Sequence, residues 1–448
     1  MTAVQQSSRI ELAQLIDQRG VGGFQARIVA LCAFAALLDG YDIQAMALAV
    51  PGLADDFHLS RVAFTPAVLG SLFGMALGSM LLAPFADRLG RRPLLIGFMV
   101  LIGLSSLASV LASGVYSLAF WRLLTGLGLG ASVPVATALI SEYAPRRHRA
   151  AMITLVTCSM ALGSMAASFI APVLDARWGW RGIFAAGGIL PLLAAALLWL
   201  GLPESLGLLL SRRPGDRRIA GLIGRLAPGI DPAIVYAAPV QAGRKAPVLA
   251  LFARQYRART ILLWAVFWMN LLVNYAVVSW LPSLLRSAGW AQDAALRAGS
   301  LVALGGLVGG LSLSWLADRG RPVWVLCGAY IGAAVALGLF LVIPSSTLAW
   351  SLLLALVGAG AFGAQFTIGA LAASFYPPVI RATGLGWASA AGRAGSIVGP
   401  TFVALVMARD LPTSAVLGVM TVPMLICAAA VTLLPFVLKD RDAAPAAN

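Results

Sequence analysis

The sequence predicts an all-α integral membrane protein of twelve transmembrane helices, arranged as two six-helix bundles related by pseudo-symmetry. Three observations carry that prediction. The 448 residues are 60% hydrophobic and 11% charged, whereas soluble domains hold about 45–50% apolar and about 25% charged residues. Apolar runs long enough to cross a bilayer recur along the whole chain. Two sequence marks also occur twice. Phe85-Ala86-Asp87-Arg88-Leu89-Gly90-Arg91-Arg92-Pro93 returns as Leu316-Ala317-Asp318-Arg319-Gly320-Arg321-Pro322, and Tyr143-Ala144-Pro145 with Arg149-Ala150 returns as Tyr376-Pro377-Pro378 with Arg381-Ala382. The spacing is 231 residues for Asp87 and Asp318 and 233 for Tyr143 and Tyr376. Parallel six-span repeats of this kind build transporters whose site lies between the halves near mid-membrane.

The expected spans, in order, are 27–50, 65–84, 93–113, 117–139, 150–174 and 180–202, then 260–285, 298–317, 322–343, 348–372, 383–407 and 414–438. They define a cytoplasmic segment 1–26, a first bundle 27–202, a cytoplasmic linker 203–259 with room for short surface helices, a second bundle 260–438 and a tail 439–448. Orientation follows from charge. Alternate connections carry Arg88, Arg91 and Arg92; Arg146, Arg147 and Arg149; the basic linker; Arg319 and Arg321; and Arg381. The intervening ones hold only Arg61, Arg177, Arg181, Arg286, Arg297 and Arg409. Lys and Arg concentrate on the cytoplasmic side of membrane proteins, so both termini are expected there. The net charge of +15 is thereby accounted for without a nucleic-acid partner.

The N-terminal 23 residues lack the apolar core of a cleavable signal peptide. Ile10, Leu12, Leu15 and Ile16 suit either a short interfacial helix or a disordered tail. Cys32, Cys158, Cys327 and Cys427 all fall in apolar runs, the ordinary place for a buried thiol, and neither a disulfide framework nor a metal spacing is present. His58 and His148 fall in connections. With no nucleophile–base constellation, the expectation is a protein that is not an enzyme and uses no cofactor or metal.

Asp39 and Asp42 stand inside an otherwise apolar run from Ile28 to Val50. An acid at the centre of an inserting helix costs about 2.5–3.5 kcal/mol. Spaced i,i+3, the two share a helical face. Such carboxylates carry protons or face a water-filled cavity, unless they form a structural ion pair between helices.

Asp87, Arg88, Gly90, Arg91 and Arg92 form a very short connection. The glycine suits its tight turn, and the arginines can pair with carboxylates at helix ends. Glu142, at the cytoplasmic end of span four, is the candidate partner; the group reads as a gate, and Asp318 and Arg319 repeat it. Arg122, in the outer part of span four, either serves proton coupling or snorkels to the outer interface. Arg393 lies about as deep in span eleven as Asp39 does in span one, by a rise of about 1.5 Å per residue. It can grip a carboxylate in a two-pronged fork or lock permanently to an acid. Span seven sets Phe267, Asn270 and Asn274 at i, i+3 and i+7, with Tyr275 and Trp280 nearby. That face suits a flat ring with polar substituents, or simply packs as core aromatics do. Gln365 in span ten either lines the cavity or bonds a neighbouring helix.

These residues resemble the major facilitator superfamily, whose mark is the loop motif around Asp87. More narrowly they resemble its aromatic acid:proton symporters, through Asp39-Gly40-Tyr41-Asp42, Ser141-Glu142-Tyr143, Leu202-Pro203-Glu204-Ser205, Trp280-Leu281-Pro282 and Arg381-Ala382-Thr383-Gly384 running on to Gly392-Arg393. The resemblance implies import of small aromatic carboxylates such as 4-hydroxybenzoate, protocatechuate or benzoate across a bacterial inner membrane, by a monomer working with protons. It makes Asp39 and Asp42 the essential acid pair, the Asp87 loop a cytoplasmic gate and Arg393 a substrate-related arginine. The shortened second loop, with Gly320 directly before Arg321, departs from the pattern. The same acids would also serve a proton-driven exporter of aromatic or drug-like compounds.

Overall fold

The computed structural model describes residues 10–18, 20–212, 216–226, 235–236, 248–319, 321–376, 378–409 and 411–442. Its helices are α1 Leu12–Gln18, α2 Gly23–Phe57, α3 Thr65–Leu77, α4 Ala86–Leu89, α5 Arg91–Val110, α6 Val115–Tyr143, α7 Arg146–Gly201, α8 Leu206–Arg212 and α9 Arg217–Leu226. Then follow α10 Arg257–Ser287, α11 Gln292–Asp318, α12 Pro322–Leu339, α13 Thr347–Val357, α14 Gly363–Phe375, α15 Pro378–Met407, α16 Thr413–Val419 and α17 Thr421–Asp442. Two-residue strands β1 (Ile10–Glu11) and β2 (Val235–Tyr236) pair in parallel.

Eleven helical stretches among the described residues are long and apolar enough to cross a membrane. One of them counts twice. α7 has 56 residues, about 84 Å at 1.5 Å per residue, against a hydrocarbon core of about 30 Å. It breaks at Gly179, whose φ of 61° and ψ of −162° are not helical. Glycine tolerates this region because it lacks a Cβ. Two crossings joined at one residue bring the number to twelve.

The helices overrun several expected boundaries. α2 continues through Pro51 to Phe57, past the expected end at 50, since a transmembrane helix tolerates proline where neighbours make up the freed backbone groups. Span two combines the 3-10 turn Arg61–Phe64, α3 and a π-helical turn at Gly78–Leu82. Span ten is α13 and α14 with a π-helical turn at Gly358–Phe362 between them. Large apolar side chains such as Met80, Leu104, Leu200, Leu348 and Leu405 are exposed along the spans, as a lipid-facing surface requires.

Ile10 falls in β1, and the apolar side of α1 is not left to the bilayer surface or to a free tail. Leu12, Leu15 and Ile16 are buried. Between residues 203 and 259 the described residues form the short helices α8 and α9; on α9, Ile219, Leu222, Ile223 and Leu226 are buried, while Arg218 pairs with Asp216 at 2.7 Å.

Among the described residues the chain forms two compact units. One comprises Asp42 and the residues before it, Phe73–Gly163 and Phe184–Ala242; the other comprises Ile43–Leu72, Ser164–Ile183 and Gly243–Asn448. Inside the first, α2 and α7 cross closely. A Cβ on Gly40 would overlap the Met160 carbonyl oxygen, and one on Gly163 would overlap that of Leu37. Inside the second, residues of the first six spans are tied to those of the last six. Arg61 Nη1 donates to the Ser283 carbonyl at 2.9 Å and to Ser287 Oγ at 2.7 Å. Gln292 Nε2 donates to Asp175 Oδ2 at 3.3 Å. A Cβ on Gly299 would lie 2.6 Å from Ser168 Oγ and 2.7 Å from Gln44 Nε2.

Candidate functional site

Asp39 and Asp42 are buried, at 1% and 2% exposure. The i,i+3 spacing puts both against α6. Arg122 Nη1 lies 3.2 Å from Asp42 Oδ2 and 3.4 Å from Oδ1. Ser106 Oγ donates to Asp42 Oδ1 at 3.3 Å and to the Phe184 carbonyl at 3.2 Å. Arg122 Nη2 donates to Thr125 Oγ1 at 2.8 Å, which shares a hydrogen bond of the same length with Ser105 Oγ. The Phe184 ring lies 4.8 Å from the guanidinium carbon. Desolvation and Coulomb attraction nearly offset in such a pair, so the added hydrogen bonds hold it. Asp39 is bonded differently. Its Oδ2 accepts from Ser132 Oγ, and its Oδ1 has no hydrogen-bond partner among the described residues.

Arg122 therefore does not snorkel. It is fully buried, so of the two alternatives for it the snorkelling one is excluded. Acid and base stand on different helices, so spacing within either one could not show their meeting.

The loop motif builds a second cluster. Gly90, with φ of 106°, separates α4 from α5, and a Cβ there would lie 2.5 Å from Glu204 Oε2. Glu204 Oε1 accepts from the backbone N–H groups of Arg91 at 3.0 Å, Arg92 at 3.2 Å and Ser205 at 2.8 Å. A carboxylate at the open N-terminus of α5 satisfies unpaired donors and opposes the positive end of the helix dipole. Arg91 Nη1 pairs with Glu142 Oε1 at 2.6 Å, the partner expected from sequence, and donates to the Ala138 carbonyl at 2.9 Å. Ser205 Oγ donates to Glu142 Oε2 and Tyr143 OH to the Glu204 carbonyl, each at 2.5 Å. Arg92 Nη2 bonds the Trp199 carbonyl at 2.5 Å. The side chains of Asp87, Arg88 and Asp318, and Gly320 altogether, lie outside the described residues. Arg319 stacks on Trp315, with its guanidinium carbon 3.5 Å from the ring centroid.

Glu204 was missed as a member of this cluster. A carboxylate right after the proline that ends span six was the available signal, since acids favour helix N-termini, but nothing in sequence said which N-terminus.

The third group lies in α10, α14 and α15. Asn270 Nδ2 donates to Gln365 Oε1 at 2.5 Å, the helix-to-helix reading of Gln365. Asn270 is fully buried and Asn274 5% exposed, and neither Oδ1 has a partner among the described residues. Gly392 comes close to α10, where a Cβ would lie 2.6 Å from Leu271 Cδ1 and 3.2 Å from the Phe267 carbonyl. This sets the neighbouring Arg393 at the level of the asparagines. Arg393 lies within electrostatic reach of Tyr275. Trp280 Nε1 is bonded to the Pro400 carbonyl at 2.9 Å, so it ties α10 to α15. The four cysteines are free. No group of three metal-ligating side chains occurs among the described residues.

A twelve-helix membrane fold with buried acids in its first span and a charged turn after its second defines a class: secondary transporters, not enzymes. The chain belongs to the Major Facilitator Superfamily, whose sequence model matches residues 32–400. It is similar to the gallate transporter of Pseudomonas putida, with 36% identity over 90% of each chain. It is also similar to the 4-hydroxybenzoate transporter PcaK of Acinetobacter baylyi, with 34% identity over 93% of each. Among solved structures, the xylose transporter XylE of E. coli in a partially occluded inward-open conformation superposes with a TM-score of 0.71 at 19% identity, covering 93% of this chain and 98% of that one; that likeness concerns the fold alone.

Proposed function

We propose that this protein is a proton-coupled symporter that imports small aromatic carboxylates by alternating access across a bacterial inner membrane, with both termini cytoplasmic and the monomer as working unit. The substrate class rests on the two relatives, which carry gallate and 4-hydroxybenzoate by name and match over at least nine-tenths of the chain. The observation that carries the coupling is the unequal bonding of the two acids. Asp42 is the counter-ion of Arg122 and also accepts from Ser106. Asp39 has no cation beside it and one oxygen without a partner among the described residues, so it is the seat of the transported proton. Arg393, which no carboxylate pairs with among the described residues, takes the substrate carboxylate in its planar fork. Proton and anion load together, the six-span halves 27–202 and 260–438 rock, and release of the anion inside frees the proton. The cluster of Arg91, Glu142 and Glu204, with Asp87 and Arg88 in the same turn, acts as the cytoplasmic gate, and Asp318 and Arg319 as its second copy.

The test is uptake of labelled 4-hydroxybenzoate into proteoliposomes. Accumulation driven by an acid exterior, abolished by a protonophore and indifferent to sodium, is the expected result. Uptake that survives the protonophore and needs sodium overturns the proton assignment; accumulation only against an acid interior makes the protein an exporter.

A further inference from the structure

Asn270 and Asn274 stand one turn apart on α10, and on each the amide oxygen is buried with no hydrogen-bond partner among the described residues. A buried acceptor left without a donor destabilises the folded state. Leucine has the same branched heavy-atom shape as asparagine and no such cost, so shape alone does not explain two amides in a membrane span. A helix-to-helix bond explains only half of one of them: Asn270 spends its N–H on Gln365 and still leaves its oxygen unpaired. Among the described residues, what both positions lack is the same thing, a hydrogen-bond donor. Arg393 stands at their level on α15, as the contact of Gly392 with Phe267 and Leu271 places it. Its guanidinium offers donors only and takes the acid end of a ligand. An aromatic acid held there presents the far side of its ring to other groups, and a ring hydroxyl is a donor.

We propose that Asn270 and Asn274 determine specificity by accepting hydrogen bonds from ring hydroxyl groups, so that the site takes hydroxylated aromatic acids in preference to unsubstituted or etherified ones. This rests on the aromatic-acid reading above. The donor–acceptor sense is what makes it specific. Benzoate lacks the hydroxyl, and a methyl ether keeps the oxygen but loses the proton; either leaves both amide oxygens unpaired in the loaded site. Sites built to bond a substrate hydroxyl discriminate strongly against analogues that lack it, because the site's own polar groups are then stranded. Selectivity is therefore set by the proton on the ring substituent, with ring size and the carboxylate common to all three ligands.

The experiment is equilibrium binding of 4-hydroxybenzoate, 4-methoxybenzoate and benzoate to the purified full-length wild type and to Asn270→Leu and Asn274→Leu, with thermal melting of each. The wild type is expected to bind the hydroxy acid at least about tenfold more tightly than either analogue, in line with one well-made hydrogen bond. One hydroxyl proton pairs one amide oxygen, so at least one of the two leucine variants should lose most of that preference. Equal wild-type affinity for hydroxy and methoxy acids overturns the proposal without any variant. So does a preference that survives in both variants, or an equal loss for all three ligands in a variant that melts normally. Failure of the wild type to bind any of the three overturns instead the aromatic-acid reading.

Discussion

Asp42 and Arg122 depend on each other more than either depends on its helix. Removing one charge from a buried pair leaves the other uncompensated, at a cost of about 3–5 kcal/mol, whereas removing both is far milder. Asp42→Asn should therefore lower the melting temperature strongly, and the double variant Asp42→Asn/Arg122→Gln should recover most of the loss without recovering transport. Melting curves of the three proteins check this. Asp39→Asn is the contrasting case. It keeps an acceptor for Ser132, so it should fold and still exchange substrate in counterflow, yet fail to accumulate it against a gradient. A variant that accumulates normally would leave Asp39 a structural acid. Residues also show where sequence reading stops. The acids were legible because a carboxylate in an apolar run has no cheap explanation. The burial of Arg122 was not, because it depends on what another helix supplies.

At the scale of elements, the turn between α4 and α5 owes its shape to Glu204. Glu204→Ala strands three backbone donors and removes the charge at the N-terminus of α5, a loss of about 0.5–2 kcal/mol by analogy with other N-terminal caps. Transport should fall, and cysteines placed in the turn should react faster with a soluble maleimide; unchanged labelling would show that the turn holds without it. A second test concerns α11. Gly299→Leu puts side-chain atoms where Ser168 and Gln44 already stand, so a cysteine in place of Ser164 should become several-fold more reactive. Unaltered reactivity would mean that the helices part elsewhere. The two-fold occurrence of the loop motif and the run lengths made the spans legible, including the pair merged in α7. The ends were less so: α2 ignores Pro51, and capping by a residue over a hundred positions away leaves no local trace.

For the whole molecule, the coupling ratio is a thermodynamic reading of the site. With one proton per monovalent anion, the limiting accumulation ratio rises about tenfold for each unit of imposed pH difference, since a factor of ten corresponds to about 1.4 kcal/mol. One proton seated on Asp39 predicts that slope in proteoliposomes held at zero membrane potential. A slope of two decades would require a second proton-carrying group besides Asp39. Family and fold were legible from composition, repeats and charge pattern because these properties are summed over many residues. The bonding that separates Asp39 from Asp42 was not, because it rests on Ser132, Ser106 and Arg122, three residues ordinary in their own segments.

The link from Glu204 to Arg91 spans 113 residues, and this bears on how the protein is made. Synthesis proceeds at about 5–20 residues per second, so for about 6–23 s the nascent chain carries the turn after span two without the carboxylate that caps it. In the orientation proposed above, Gly90 and the arginines around it stand during that interval on the ribosome side of the membrane with their backbone donors open. A ribosome-stalled chain ending before Leu202 should be cut there by an added protease, and one long enough to have delivered Glu204 should resist. The N-terminal bundle would then be complete only when its last helix has arrived, however early the others inserted.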